Sequence, residues 1–230
     1  MNRRELFRNI AGLGLIGATR VGSSQAAEEG SDATLDSAPD CVLTPRQTEG
    51  PFYFDAGQVR KDITEGRPGI PLRLVVGVVT ASSCEPLPDA VVDVWHCDAG
   101  GVYSGFVNRS AGERVDARED DFMRGIQVTN EDGVVELETI YPGWYQGRLT
   151  HIHFKVHLDE RTMVTSQWYF PDAITREVYA QEPYNARGQN TTTPSRDGVL
   201  RADQLDALTM KIRENKDGPG YVGYHTVAIT

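Results

Sequence analysis

Cysteine is scarce in this chain of 230 residues: Cys41, Cys84 and Cys97 are all it has, and no CxxC joins two of them, which disfavours a cysteine-based metal cluster. Positive charge is short as well. Lys and Arg number 23 against 33 Asp and Glu, a formal charge of −10 that argues against a nucleic-acid groove. No apolar run reaches the roughly 20 residues of a membrane span, and no repeat with a period of roughly 20–50 residues shows. The rest is an ordinary globular mixture, 39% apolar and 24% charged, long enough for one well-buried core.

The first residues stand apart. Arg3-Arg4 precede Leu6-Phe7, a Gly-rich apolar run spans Ile10 to Ala18, and small residues follow at Ser24-Gln25-Ala26. Basic start, short apolar stretch and small-residue exit predict a signal peptide over residues 1–26, with a disordered tail as the alternative. The paired arginines resemble a twin-arginine signal, which predicts export of a folded protein to the periplasm or beyond. The exact cleavage site stays open. Residues 27–40, polar and without periodicity, read as a flexible linker, leaving 41–230 as one domain. An oxidising compartment predicts one disulfide and one leftover thiol. Cys97 ends a strand-like run while Cys41 and Cys84 sit in loop-like text, so Cys41–Cys84 is the favoured pair and the other pairings remain open.

From Cys41 onward the chain reads mostly as short strands. Ile70–Val79 and Ala90–Cys97 flank a Pro-containing turn and read as a hairpin, as do Met123–Thr129 and Val134–Ile140 around Asn130-Glu131-Asp132-Gly133. Thr150–Leu158, Met163–Phe170 and Tyr221–Ile229 are further strands, and Leu208, Met210 and Ile212 alternate before a turn at Lys216–Gly220. Residues 105–122 and 171–200 read as long irregular loops that shape a site. The expected fold is an all-β, single-domain β-sandwich with long active-site loops.

One strand carries chemistry. Period two in Thr150–Leu158 puts Ile152, Phe154, Val156 and Leu158 on one face and His151, His153, Lys155 and His157 on the other. His151 and His153 then lie roughly 7 Å apart along the strand, close enough to converge on one ion, whereas His157 is roughly 13 Å beyond His153. His157 is therefore expected at the surface, and His96 and His225 as structural residues. Imidazole suits zinc, copper and iron alike, so the pair alone does not choose a metal. A cupin would need a carboxylate after the second histidine, where His157 and Leu158 stand instead.

Four segments surround this pair. They are Leu43–Tyr53 (LTPRQTEGPFY), Val92–Ser104 (VDVWHCDAGGVYS), Arg124-Gly125 with Thr139–Tyr145 (TIYPGWY) leading to Arg148–His153 (RLTHIH), and Thr165–Pro171 (TSQWYFP). In that order they resemble the intradiol ring-cleavage dioxygenases, the family of catechol and protocatechuate dioxygenases, and look closest to an exported branch of twin-arginine type. The resemblance implies one Fe(III) held by Tyr103, Tyr145, His151 and His153. Fe(III) is a hard cation that suits hard phenolate oxygens, and two phenolates with a hydroxide would balance its charge. The resemblance further implies that catechol-type diols bind as dianions and displace Tyr145, which takes up a proton, and that O2 then opens the ring to a cis,cis-muconate-type diacid. Arg148 is implied to stabilise negative charge on the ring, Gln167 to sit near the O2 site, and Pro51 and Phe52 to line the pocket, with core packing as their alternative. The expected partners are the small-molecule diol and O2, with no nucleic acid and no membrane once the signal is cleaved. Which diol is cleaved and the oligomeric state, a homo-oligomer included, stay open. Two other readings are kept: a non-catalytic, prealbumin-like ligand-binding sandwich, and a zinc or copper enzyme built on the same histidines.

Overall fold

The computed structural model describes residues 41–110 and 112–230, so the expected signal peptide (1–26) and linker (27–40) lie outside the described residues. Ten strands follow in order: β1 (Pro71–Thr80), β2 (Val91–Trp95), β3 (Val107–Ser110), β4 (Glu113–Asp116), β5 (Arg124–Val128), β6 (Val134–Ile140), β7 (His151–Leu158), β8 (Arg161–Tyr169), β9 (Lys211–Glu214) and β10 (Tyr221–Ile229). Two helices, α1 (Asp172–Tyr179) and α2 (Leu205–Leu208), lie between β8 and β9. One sheet has the order β6-β1-β10-β9 and the other β5-β2-β7-β8, with β3-β4 a separate hairpin. The all-β sandwich is the architecture found.

β1 is central in the first sheet, parallel to β10 and antiparallel to β6, and Leu74 to Val79 are all buried, which explains its near-continuous run of Val and Leu. Leu74, Val76 and Val78 meet Val92, Val94, Ile152, Phe154 and Val156 of the second sheet in the main core. The Phe154 ring stacks on Trp168 at 4.2 Å between centroids. The disulfide joins Cys41 to Cys84, and Cys97 is a free, buried thiol. Burial pushes that thiol's pKa up and keeps it protonated.

Two expected hairpins are crossovers instead. β1 pairs with β6 and β10 while β2 pairs with β5 and β7, so the turn at Cys84–Pro88 carries the chain from one sheet to the other. Glu85 to Leu87 turn back on the end of β1 for one bridge, Val79 to Pro86, and Cys84 and Asp89 at positive φ then redirect the chain. Likewise the turn at Asn130–Gly133 is present, but β5 and β6 belong to different sheets. Turn residues specify reversal, and which sheet the second strand joins is decided by tertiary packing. The β7–β8 and β9–β10 pairs are true hairpins.

The stretches read as irregular are partly ordered: 105–122 holds the β3–β4 hairpin, and 171–200 holds α1 and short 3-10 turns at Tyr184–Arg187 and Pro194–Arg196. Leu208 ends helix α2, so the alternation at 208–212 is not one strand. His157 is fully buried, not a surface residue, and its Nδ1 lies 3.0 Å from Thr162 Oγ1. The reason applies to all of β7, since both of its faces are covered. A strap from Pro45 to Arg60 lies along the second sheet, with Gln47 N bonded to Thr165 O, Ser166 Oγ to Pro45 O, Arg60 N to Ile126 O, and Lys155 Nζ 2.7 Å from Glu49.

Candidate metal centre

The polar face of β7 meets matching residues on both neighbouring strands. His153 is in register with Trp95 of β2 and Gln167 of β8, and His151 with Tyr169 of β8. The His153 ring stacks on Trp95 at 4.9 Å with 10° between planes. Its Nδ1 is buried without a hydrogen-bond partner. His151 Nδ1 donates to Leu149 O at 2.6 Å, which leaves Nε2 with a lone pair facing inward.

Two loops bring tyrosines to that nitrogen. Tyr103 is held by Asn108, whose side chain bonds both its N–H and its carbonyl, and Ser104 beside it is gripped by the buried Arg124. Arg187 bonds Gly100 O, Ser110 Oγ and Trp144 O, and so ties the Tyr103 loop to the Tyr145 loop. Gly101 has φ +76°, and a Cβ there would sit 2.4 Å from Trp144 O, so only glycine lets these loops meet so closely.

The four donors expected from the sequence come together. His151 Nε2 lies 3.1 Å from His153 Nε2, 3.2 Å from Tyr145 Oη and 3.4 Å from Tyr103 Oη. Atoms bonded to one ion at about 2.0–2.2 Å stand a little over 3 Å apart, so this spacing fits a common cation. Among the described residues no group of three His, Cys, Asp or Glu side chains could hold a metal, and the groups that stand beside the histidine pair are phenols. Burial, helped by Arg148, lowers the His151 pKa to about 3, and burial with His151 beside it puts His153 well below the ordinary value. Both rings are neutral donors near neutrality. Without a cation, burial raises the pKa of both Tyr103 and Tyr145, so a cation is what would turn them into phenolates. The donor set therefore fits a hard, highly charged ion. Tyr103 is 1% exposed whereas Tyr145 is only partly buried.

Arg148 is not a solvent-facing charge. Its Nε faces Asp197, its NH1 lies 3.4 Å from Tyr145 Oη and 3.5 Å from His151 Nε2, and its NH2 bonds Gln167 Oε1 and Tyr169 Oη. Gln167, fully buried, also donates to Thr48 O of the strap. Phe52 stacks on Tyr103 at 4.4 Å and meets Tyr145 edge-on at 6.1 Å, so it does wall the tyrosines. Pro51 is exposed at a turn, which rules out a core role for it. The sequence reading missed Trp95, Tyr169, Arg187 and Asp197. Tyr169 follows Gln167 by two on the same strand face and was findable by alternation, but no spacing marks Asp197.

The fold, and the two histidines that its second sheet presents to two loop tyrosines, have counterparts among known dioxygenases. A family model described as Dioxygenase matches residues 48–179. The intradiol ring-cleavage dioxygenase of Tetranychus urticae is 30% identical, with a TM-score of 0.74 over 83% of this chain and 95% of that one. Catechol 1,2-dioxygenase 1 of Acinetobacter lwoffii is 29% identical over 66% of this chain, which spans 55% of that relative's length. The fold alone is shared with 3-chlorocatechol 1,2-dioxygenase of Rhodococcus opacus, at a TM-score of 0.55 and 20% identity over 80% of this chain and 71% of that one. The chain belongs to the intradiol ring-cleavage dioxygenase family.

Proposed function

We propose that this protein is an intradiol dioxygenase that holds Fe(III) through Tyr103, Tyr145, His151 and His153 and cleaves catechol-type aromatic diols with O2. The observation that carries the reading is the meeting of three donors, His153 Nε2, Tyr145 Oη and Tyr103 Oη, within 3.4 Å of a fourth, His151 Nε2, beside the Arg148 guanidinium. Bound there, Fe(III) supplies the Lewis acidity that makes an aromatic diolate reactive toward O2.

The chain's own groups do the rest. Tyr145, nearer the surface than Tyr103, would be the donor that yields to substrate and would take up one diol proton at its Oη, with the second proton passing to solvent. Arg148, 3.4 Å from that oxygen, faces the negative charge that develops on the ring. Gln167 holds Arg148 NH2 from behind and is tied to the strap, so the cation is already oriented before substrate arrives. Phe52 supplies an apolar wall for an aromatic ring. The ring bond between the two hydroxyl-bearing carbons breaks, both atoms of O2 enter the product, and diol plus O2 equals a cis,cis-muconate-type diacid.

The Cys41–Cys84 bond supports the companion reading that the protein works outside the cytoplasm, delivered by residues 1–26. Purified protein should carry one iron per chain and a red-brown colour from phenolate-to-iron charge transfer. It should produce ring-opening absorbance with some member of a diol panel. A colourless protein filled with zinc, and unchanged by iron reconstitution, contradicts the reading and favours the zinc enzyme.

A further inference from the structure

Asp197 lies beyond residue 179, where the family match ends. Pro194, Ser195, Arg196 and Gly198 around it are exposed, yet its side chain is fully buried. Four N–H groups converge on the carboxylate: Arg148 Nε at 3.0 and 3.1 Å, Leu149 N at 2.7 Å, and Val199 N and Leu200 N at 2.8 Å each. Only an acceptor-only group satisfies all four, because the NH2 of an asparagine would face one of these donors. Burial opposes its charge, but the Leu200 and Leu149 amides and the Arg148 guanidinium outweigh it and its pKa is lowered.

Two consequences follow from where these donors belong. Gripping Nε fixes the guanidinium plane, so NH1 points at Tyr145 and His151 while NH2 points at Gln167 and Tyr169. Gripping the Leu149 N–H also fixes the peptide whose carbonyl accepts His151 Nδ1–H. We propose that Asp197 is a positioning residue that aims Arg148 at the site and, through Leu149, sets the ring of His151. The proposal rests on the ring-cleavage reading above. A carboxylate that merely stapled residues 194–200 in place would need the amides of Val199 and Leu200 but not the Arg148 side chain.

The test is a double-mutant cycle on the iron-loaded full chain with catechol as substrate, comparing Asp197→Ala, Arg148→Ala and both together. Iron per chain and hydrogen exchange of the 147–153 segment are measured alongside. Asp197→Ala is expected to lower kcat about 10–100-fold with KM within about threefold and iron retained, yet to add less than about threefold once Arg148 is alanine. Exchange of the 147–153 segment should quicken. Equal losses in both backgrounds, or no loss in either, overturn the proposal. If Asp197→Ala does not fold, Asp197→Asn gives the same cycle. Wild-type protein that turns over no diol overturns the ring-cleavage reading instead, and the exchange arm then decides Asp197, with an unchanged 147–153 segment counting against it.

Discussion

At the scale of residues, Tyr103 and Tyr145 reach the same nitrogen from different depths, and the proposed mechanism assigns holding a cation to the deeper one and yielding to substrate to the other. Tyr103 is sealed under Phe52 and fastened through Asn108, so Tyr103→Phe should lose iron and colour together, checked by metal analysis and visible absorbance. Arg148 touches Tyr145 and His151 from the side, so Arg148→Ala should keep both signals. It should slow the reaction of the preformed catechol complex with O2 by about 10²–10³, the usual cost of one lost charge stabiliser, as read by stopped-flow mixing. A wild-type rate would return Arg148 to a purely structural role. Elsewhere, His96 is 1% exposed, and burial lowers its pKa from 6.5 to about 4. The unfolded chain binds a proton near 6.5 that the folded chain refuses until about 4. Stability is therefore complete above that window and falls on acidification through it, by up to about 1.4 kcal/mol per pH unit for this one group. Urea denaturation from pH 7 to 4 reads the slope, and His96→Gln should reduce it by this group's share, leaving that of His225, whose pKa burial also lowers to about 4.

At the scale of elements, β7 shows what alternation can and cannot convey. Period two separated His151, His153, Lys155 and His157 from Ile152, Phe154 and Val156, and the structure keeps that division. It could not reveal that the histidine face is also covered, because the cover comes from a strap about a hundred residues earlier in the chain. His157 was misplaced for that reason. The turns were legible from Pro, Asn and Gly, but their partners were not: β1 and β2, like β5 and β6, reverse direction while changing sheets. In the site, the histidine pair is written in the spacing, whereas two of nine tyrosines could be chosen only through the family resemblance. Asp197 carries no signal, since its role comes from a loop folding back onto Arg148. Phe154→Ala, which opens a hole against Trp168 between the sheets, should cost about 3–5 kcal/mol by urea denaturation. Replacing Cys41 and Cys84 by serine frees the strap's start across a separation of 43 residues and should cost about 2–4 kcal/mol, with the loss matched by reducing the wild-type protein.

For the whole molecule, the sandwich acts as a rigid frame. One sheet supplies the histidines, Trp95, Gln167 and Tyr169, and loops bridged by Arg187 and Asp197 bring the tyrosines and the arginine to them. A ligand-binding sandwich without catalysis has no use for four donors converging beside the Arg148 guanidinium, and membership in the dioxygenase family points the same way. The proposed reaction opens a diol ring between its two oxygen-bearing carbons with O2. The most direct measurement is mass analysis of the product formed from catechol under oxygen-18 gas by the iron-loaded protein. A cis,cis-muconate carrying both heavy atoms is the expected product. A semialdehyde cleaved outside the diol, a quinone without label, or no consumption of labelled oxygen would contradict it.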